Sequence, residues 1–521
     1  MEFSESATFT IRFLEDPSLT GDDYRIEKGA KYIVLNGNTA VAFNAAVGKL
    51  MRVGIDKLTS LSCHFDQAIR AIYFANHFHN YYHCAPITEV LDYIESLALW
   101  GQSVVWLWFD LHHFHSIESA EAKEMLDRMK QIFTKAKNLG LQTALTKLSN
   151  EYYEGAPQAV LAQNSTASGL YRSKMCGFFN TEICPSNEDG KRLIFQALDD
   201  LLDAFQDTGI DYITLWPYDQ GGCSCEKCYP WGGNGFYQLS KALAARIRER
   251  FPHTKVGVAT WYFDHFIANE CEFESFFDHF KTEKVWFDYV ISNEDHPAMK
   301  TIKGKLPIIS FPEISMAATP WGGYGAAPIP QKMESRLNRY ANYCNGCMVY
   351  SEGIFEDINK IICLEKCRDK NQNVQQIVQE YCATLVGTEL ADELAALVFD
   401  METTLPRTVR NSKGENMEYP SGTPTELHIY QIDRKDLVQD IYKRFLVLDA
   451  KVPAYAKQNW RYEILYLRAL GDYALCQSNG VPNEKTDQIY SRLVQIFYAE
   501  KAGYFVSPIT RESIMANREH I

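Results

Sequence analysis

The sequence has no run or stripe of lysine and arginine, and its formal net charge is −14. A polyanion partner needs clustered cations to neutralise phosphates, so the composition argues against nucleic acid. No stretch approaches the ~20 apolar residues that cross a bilayer, so no membrane partner is expected. The opening "MEFSESATFTIRFLEDPS" has no basic segment followed by an apolar run, so no export leader is read there. No glycine-rich phosphate fingerprint follows the first strand of the main repeat, which argues against a dinucleotide-binding open sheet. Tandem repeats and low-complexity linkers are absent as well.

What is abundant is aromatic residues and cysteine. Thirty tyrosines and 29 phenylalanines suit core packing, and equally suit stacking on sugar rings or bases. Fourteen cysteines without a leader point to a reducing cytoplasm, where clustered thiols favour metal binding or structural roles over disulfides.

The chain, 521 residues long, is large enough for two or three domains. Residues 1–65 read as a small α/β unit, with strands in "TFTIRFLE", "DYRIEK" and "KYIVLNG" and a helix in "TAVAFNAAVGKLMRVG" closed by Gly54. From residue 66 to 370 strands and helices alternate. "AIYFANHF", "SVVWLWFD", "LQTALTKLS", "DYITLWPYD", "KVGVATWYFD", "WFDYVISNED", "LPIISFPEIS" and "GCMVYSEG" are eight strand candidates, each followed by helical sequence. Eight such units are what a closed (β/α)8 TIM barrel requires. Residues 371–521 show helical patterns and no convincing strand, so a C-terminal helical domain is expected.

In such barrels the active site is built at the carboxyl ends of the strands. Those ends offer His77 and His79; Asp110 with His112 and His113; Asn150 and Glu151; Asp219 and Gln220; Trp261 and Asp264; Glu294 and Asp295; Glu313; Tyr350 and Glu352. An acidic pocket walled by aromatics suits carbohydrate. Glycosidic hydrolysis needs one carboxylic acid to protonate the leaving oxygen and a second group to stabilise the oxocarbenium-like centre. Asp219, Glu313 and Glu352 each sit just after an apolar strand and form the expected catalytic set; each has the alternative of being a sugar-hydroxyl ligand or a buried ion-pair partner. His77, Asp110, His113, Trp216, Gln220, Trp261, Asp264, Trp321 and Tyr350 are the expected sugar-binding residues. A pocket walled by Trp261, Trp321 and Tyr350 would raise the pKa of the acid by desolvation.

The loop "LWPYDQGGCSCEKCYPWGGNG" carries Cys223, Cys225 and Cys228 as C-x-C-x-x-C, a spacing that places three thiolates around one ion. A closed tetrahedral zinc site needs a fourth ligand. Cys184, in the loop before the preceding helix, is the expected one, with Cys176 in reserve. A structural zinc there would pin the loop that carries Asp219 and Trp231; the alternative is reduced thiols filling a tight turn. No organic cofactor is expected. "CNGC" (Cys344, Cys347) and "CLEKC" (Cys363, Cys367) read as packing. "PWGGNGF" and "ATPWGGYGAAP" share an aromatic-glycine texture suited to a rim around a sugar site.

Two segments carry a family resemblance. "DDYRIEKGAKYIVLNGNTAVAFNAAVGKLMR" resembles the small domain before the barrel in family 20 β-N-acetylhexosaminidases and related α-glucuronidases. "YSEGIFEDINK" resembles the end of the barrel in α-N-acetylglucosaminidase-like enzymes, where the glutamate of an "EG" pair is catalytic, and this implies Glu352. Family 20 enzymes carry an adjacent Asp-Glu pair after the fourth strand, whereas this chain has Asp219 and Gln220. Glutamine is no proton donor of that kind, so either Asp219 is the acid or it orients an acetamido group while Glu313 or Glu352 supplies the proton. The resemblance implies an exo-acting glycoside hydrolase on small glycans, β-N-acetylhexosaminidase-like. The alternatives are an α-glucuronidase or α-N-acetylglucosaminidase, and a carbohydrate-binding protein without turnover. A small glycan is thus the expected partner, and homo-oligomerisation is left open.

Overall fold

The computed structural model describes residues 9–162, 182–217, 222–261, 263–264, 271–312, 314, 325–404, 408–410, 416–418, 435–501 and 511. Strands β1 (Thr10–Glu15), β2 (Tyr24–Lys28), β3 (Tyr32–Gly37) and β4 (Leu61–Cys63) form a sheet in the order β1-β3-β2-β4. The helix Ala40–Val53 covers it. The Thr39 hydroxyl caps its first turn by accepting from the Ala42 amide, and Gly54 ends it at φ 77°, where a β-carbon would be strained. Its Ala42, Ala45, Ala46 and Leu50 pack on Ile26, Ile33 and Leu35. The three residues of β4 are too few to show an alternation, and nothing in the sequence pattern announces them.

Eight parallel strands close into a barrel: β5 (Ile69–Phe74), β6 (Val104–Trp108), β7 (Gln142–Leu148), β8 (Tyr212–Trp216), β9 (Lys255–Ala259), β10 (Tyr289–Ile291), β11 (Ile308–Ser310) and β12 (Gly346–Ser351). The last joins the first along the register Gly346↔Ile69 to Ser351↔Phe74. This is the (β/α)8 architecture that the alternation implies. The strands are buried on both faces, which is why they read as apolar runs. Their outward side chains meet the surrounding helices. Their inward ones, among them Ala71, Tyr73, Trp106, Ala144, Tyr212, Tyr289, Ile309 and Met348, fill the cylinder.

The bulk of that filling is aromatic, and its polar tips are satisfied internally. The Trp106 indole donates to Thr146 Oγ1 at 3.1 Å, and Tyr289 Oη lies 2.8 Å from Thr214 Oγ1. A β-carbon on Gly257 would sit 2.2 Å from the Tyr289 ring, so glycine there is what admits tyrosine to the barrel centre. The barrel is thus plugged below, and any site must lie above this layer.

One strand is shorter than its sequence suggests. "AIYFANHF" leaves the sheet after Phe74, and Asn76–Phe78 make a single 3-10 turn. The Asn76 side chain explains the turn in part, since its Oδ1 accepts from the Trp108 amide and ties the end of β5 to that of β6.

Beyond the barrel come the helices Val374–Val386, Ala391–Thr404, Lys435–Asp449, Trp460–Gln477 and Glu484–Phe497. A small antiparallel hairpin also occurs, β13 (Thr408–Arg410) with β14 (Asn416–Glu418), where no strand was expected. The helices are fastened to the barrel through Asp357, at the start of the helix Asp357–Arg368. Its carboxylate accepts from the Tyr93 hydroxyl at 2.6 Å, the Tyr381 hydroxyl at 2.8 Å and Arg461 Nε at 2.8 Å. Arg461 holds this buried carboxyl below the usual range against the opposing effect of burial. Among the described residues no helix is long and apolar enough to cross a membrane.

Candidate active site

The inward columns of the barrel end, at their carboxyl side, in a continuous aromatic patch. Trp216 and Trp261 have ring centroids 6.0 Å apart, and Phe311 lies 5.3 Å from Trp216 and 5.0 Å from Trp261. Tyr350 is 5.5 Å from Phe311 and 5.5 Å from Tyr73. Tyr73 Oη then lies 3.3 Å from His77 Nδ1, and the His77 ring lies 4.1 Å from Trp108. The strand period of two produces this arrangement. Alternate residues such as Met348, Tyr350 and then Glu352 share one column facing the axis.

Glu352 stands next to that patch and is 1% exposed. Its Oε2 accepts from Asn80 Nδ2 at 3.0 Å, and its Oε1 accepts from the Tyr350 hydroxyl. The turn that presents it is shaped by Glu356. Its Oε1 takes the amides of Glu352 and Gly353, at 3.1 and 2.9 Å, and the Ser351 hydroxyl at 2.7 Å. Gly353 follows directly, and a β-carbon there would lie 2.3 Å from the Phe497 ring. The C-terminal helices therefore press against the loop that carries this carboxylate.

A second polar group lies at the ends of β5 to β7. Asp110 Oδ1 is 2.5 Å from His112 Nδ1, its Oδ2 is 3.3 Å from His113 Nε2, and Glu151 Oε1 is 3.1 Å from His112 Nδ1. The His112 amide also donates to Glu151 Oε1 at 3.1 Å. Burial alone would lower the pKa of His112, but Asp110 and Glu151 outweigh it and push it up to about 10. For Asp110 burial works upward, and the two histidines override it and hold the carboxyl well below its ordinary value. Glu151 is raised to about 8, first by burial and then by Asp110. His77 is held well below its ordinary value by burial. The ensemble is thus a negative carboxylate beside a cationic imidazole, with a carboxyl poised near neutrality.

Of the expected site residues, His77, Asp110, His113, Trp216, Trp261, Tyr350 and Glu352 converge on this end of the barrel. Asp219, Gln220, Glu313 and Trp321 lie outside the described residues, as does Cys176. Asp264, one of the expected sugar contacts, is engaged by the protein's own backbone. Its carboxylate accepts from the amides of Glu272 at 2.7 Å and Phe273 at 3.2 Å, so it caps the helix Glu272–Asp278. Trp231, expected only as cargo of the cysteine loop, is buried, and its indole donates to the Pro217 carbonyl at 3.0 Å.

Sequence reading missed Asn80, Phe311 and Trp108 as parts of the site and assigned no role to Glu151. Phe311 and Trp108 were in reach, since both continue the inward alternation of their strands. Asn80 was not, because nothing local connects a turn after the first barrel strand to a glutamate after the last.

The thiols of Cys184, Cys223, Cys225 and Cys228 come together, with all four sulfurs within 4.8 Å of one another. "CNGC" and "CLEKC" meet at the barrel wall, where Cys344, Cys347, Cys363 and Cys367 are buried in the core.

No family model matches the chain, and no curated protein matches it. Solved structures do. The chain is similar to a family 89 glycoside hydrolase from Clostridium perfringens at 12% identity, with a TM-score of 0.62. The match covers 94% of this chain and 62% of that one. It is also similar to BtGH115A, a family GH115 4-O-methyl-α-glucuronidase, at 10% identity and a TM-score of 0.60, covering 96% of this chain and 70% of that one. CpGH84B matches at 12% identity and a TM-score of 0.53, over 96% and 87%. The likeness is one of fold, a (β/α)8 barrel of the kind these glycoside hydrolases have. The likeness extends from the small N-terminal sheet through the helical region, and this chain spans about 62% of the length of the family 89 enzyme.

Proposed function

We propose that the protein is an exo-acting glycoside hydrolase that removes a terminal N-acetylhexosamine from a small glycan, with Glu352 as one of its two catalytic carboxylates. The observation that carries this reading is the placement of Glu352: buried at the mouth of a plugged barrel, oriented by Asn80 and Tyr350, beside an aromatic wall. Such a wall suits the apolar face of a pyranose ring, and Asp110, His77 and His113, at the same end of the barrel, are the residues we assign to its hydroxyls. Asp219 and Glu313, after β8 and β11 in sequence, are the candidates for the second carboxylate.

The N-acetylhexosamine preference draws support from the kind of barrel. The family 89 enzyme was solved with 2-acetamido-1,2-dideoxynojirmycin, and a form with two glutamates changed to glutamine was solved with its substrate GlcNAc-α-1,4-galactose. A uronic acid substrate, the alternative that BtGH115A brings to mind, needs a cation at the rim. Among the described residues the basic one at a strand end is Lys147, which is buried; its Nζ donates to the Leu148 carbonyl at 2.6 Å and lies 4.0 Å from Glu151. It is committed to the protein interior. A cytoplasmic location belongs to the same reading, supported by the thirteen described cysteines, all of them free.

The test is hydrolysis of p-nitrophenyl α- and β-glycosides of N-acetylglucosamine, N-acetylgalactosamine and glucuronic acid. An N-acetylhexosaminide is expected to be cleaved, and Glu352→Gln to lower kcat/KM by about 10²–10⁴-fold without unfolding the protein. Cleavage of the glucuronide alone would replace the substrate assignment. Sugar binding with no cleavage of any substrate would leave a carbohydrate-binding protein, and an undiminished Glu352→Gln variant would remove the catalytic assignment.

A further inference from the structure

The four thiols that gather beside β8 are drawn from two separate segments. Cys184 precedes the helix Glu188–Ala204, while Cys223, Cys225 and Cys228 follow β8. Cys184, Cys223 and Cys228 are buried and Cys225 half-buried. A tetrahedral zinc with sulfur ligands at about 2.3 Å has sulfur–sulfur edges of roughly 3.8 Å. Cys184 Sγ and Cys225 Sγ are 3.8 Å apart, and no pair among the four exceeds 4.8 Å. A disulfide would bring two sulfurs to about 2.05 Å, and all four cysteines are free.

Hydrogen-bonding groups surround these sulfurs. The Ser186 hydroxyl lies 3.0 Å from Cys184 Sγ and 3.3 Å from Cys225 Sγ. Backbone amides add to it: that of Ser186 faces Cys184, that of Cys225 faces Cys223, and those of Lys227 and Cys228 face Cys225. Donors aimed at sulfur are the outer shell that a thiolate–metal centre requires. Four thiols packed for their apolar character alone have no need of them.

We propose that Cys184, Cys223, Cys225 and Cys228 bind one zinc ion as four thiolates, clamping the segment after β8 to the segment before the helix Glu188–Ala204. Each thiol gives up its proton to solvent as the ion binds, so loading releases protons and weakens in acid. Four sulfur ligands close the coordination sphere, which makes the role structural and leaves no position for a reacting water. The clamp acts on the exit of β8. Trp231 folds back on the same loop, with its ring against Gly222 and Gly235, and its indole fastens Pro217, two residues before Asp219. The inference stands apart from the glycosidase reading, and neither depends on the other.

The test is the metal content of the full chain purified without chelator, measured by inductively coupled plasma mass spectrometry. About one zinc per chain is expected, falling to near zero in the double variant Cys223→Ser/Cys225→Ser. Because that variant also risks misfolding, the wild type is tested as well. Stripping with a strong chelator under reducing conditions should lower its melting temperature, and zinc alone should restore it. Cobalt in place of zinc should give the visible bands of a tetrahedral thiolate centre. A reduced wild-type chain that takes up no zinc, four thiols that react freely in the zinc-treated protein, or stoichiometry unchanged in the double variant would each overturn the proposal.

Discussion

Asn80 Nδ2 donates to Glu352 Oε2 at 3.0 Å, although the two residues are 272 positions apart. Closure of β12 onto β5 brings them together, and further bonds keep Asn80 still. Its amide also donates to the Ala75 carbonyl at 2.8 Å, and its Oδ1 accepts from the Tyr82 amide at 3.2 Å. A carboxylate held from one side by an amide and from the other by the Tyr350 hydroxyl has little freedom to turn away from a bound substrate.

Replacing Asn80 by serine separates orientation from stability. Serine keeps a good cap for the turn at Tyr82 but no longer reaches Glu352. Asn80→Ser is expected to lower kcat/KM by about 10- to 100-fold, as loss of a hydrogen bond to a charged group predicts, while costing about 1 kcal/mol in folding. Steady-state kinetics with thermal unfolding of the same sample checks both. Equal loss of activity and of folded protein would show that Asn80 merely holds the loop.

The Asp110–His112–Glu151 group predicts a stability profile. Glu151 is raised from its ordinary 4.5 to about 8, so the folded state keeps a proton that the unfolded chain releases. Its contribution is whole below pH ~4.5 and is lost as pH rises through ~8. His112, raised from 6.5 to about 10, has the same sign, with its contribution whole below pH ~6.5 and lost by ~10. Asp110, depressed, acts in the opposite direction and only in acid. Melting temperature should therefore decline from pH 5 to 10. Glu151→Gln should flatten the part between pH ~4.5 and ~8 and His112→Gln the part between ~6.5 and ~10. Parallel profiles in all three proteins would contradict this assignment.

Asp264 separates a structural carboxylate from a sugar-binding one. Asp264→Ala removes the acceptor of two amides at the head of the helix Glu272–Asp278, and is expected to cost about 1 kcal/mol in denaturant unfolding. KM for a cleaved glycoside should stay within about twofold of the wild type, a change of under ~0.5 kcal/mol in binding. A tenfold rise in KM with unchanged stability would restore the sugar contact.

The Asp357 hub joins the barrel to the C-terminal helices. Arg461→Met removes the guanidinium that hydrogen-bonds the buried Asp357 carboxylate and leaves it only the charge of Lys360, an imbalance that costs about 3 kcal/mol. Unfolding followed by circular dichroism should show a single transition in the wild type and a lower midpoint in the variant. Double replacement with Asp357→Leu should recover part of the loss, because the uncompensated charge is then gone.

Much of the architecture is legible in the order of residues, and the reason is that its signals are short in range. Apolar runs such as "VVWLW" and "YITLW", bounded by glycine and followed by helical periodicity, identify barrel strands because a strand buried on both faces tolerates little else. The spacing C-x-C-x-x-C brings three thiols together through one turn, so proximity along the chain is proximity in space. Strands of three residues, β4 and β13–β14, carry too few positions to show any period, and "AIYFANHF" gives no sign that Asn76 will pull the chain out of the sheet.

The residues alone therefore determined the element types, the eightfold alternation, the acidic and aromatic character of the strand ends, and the glutamate after the last strand. Tertiary structure decided which of those ends cooperate. It set Asn80 against Glu352, made Glu151 a neighbour of Asp110, and put the Asp264 carboxylate on the amides of Glu272 and Phe273. Local patterns reflect energies within a turn or two of chain, whereas these pairings exist only once the barrel closes and distant backbone amides compete for the same carboxylates.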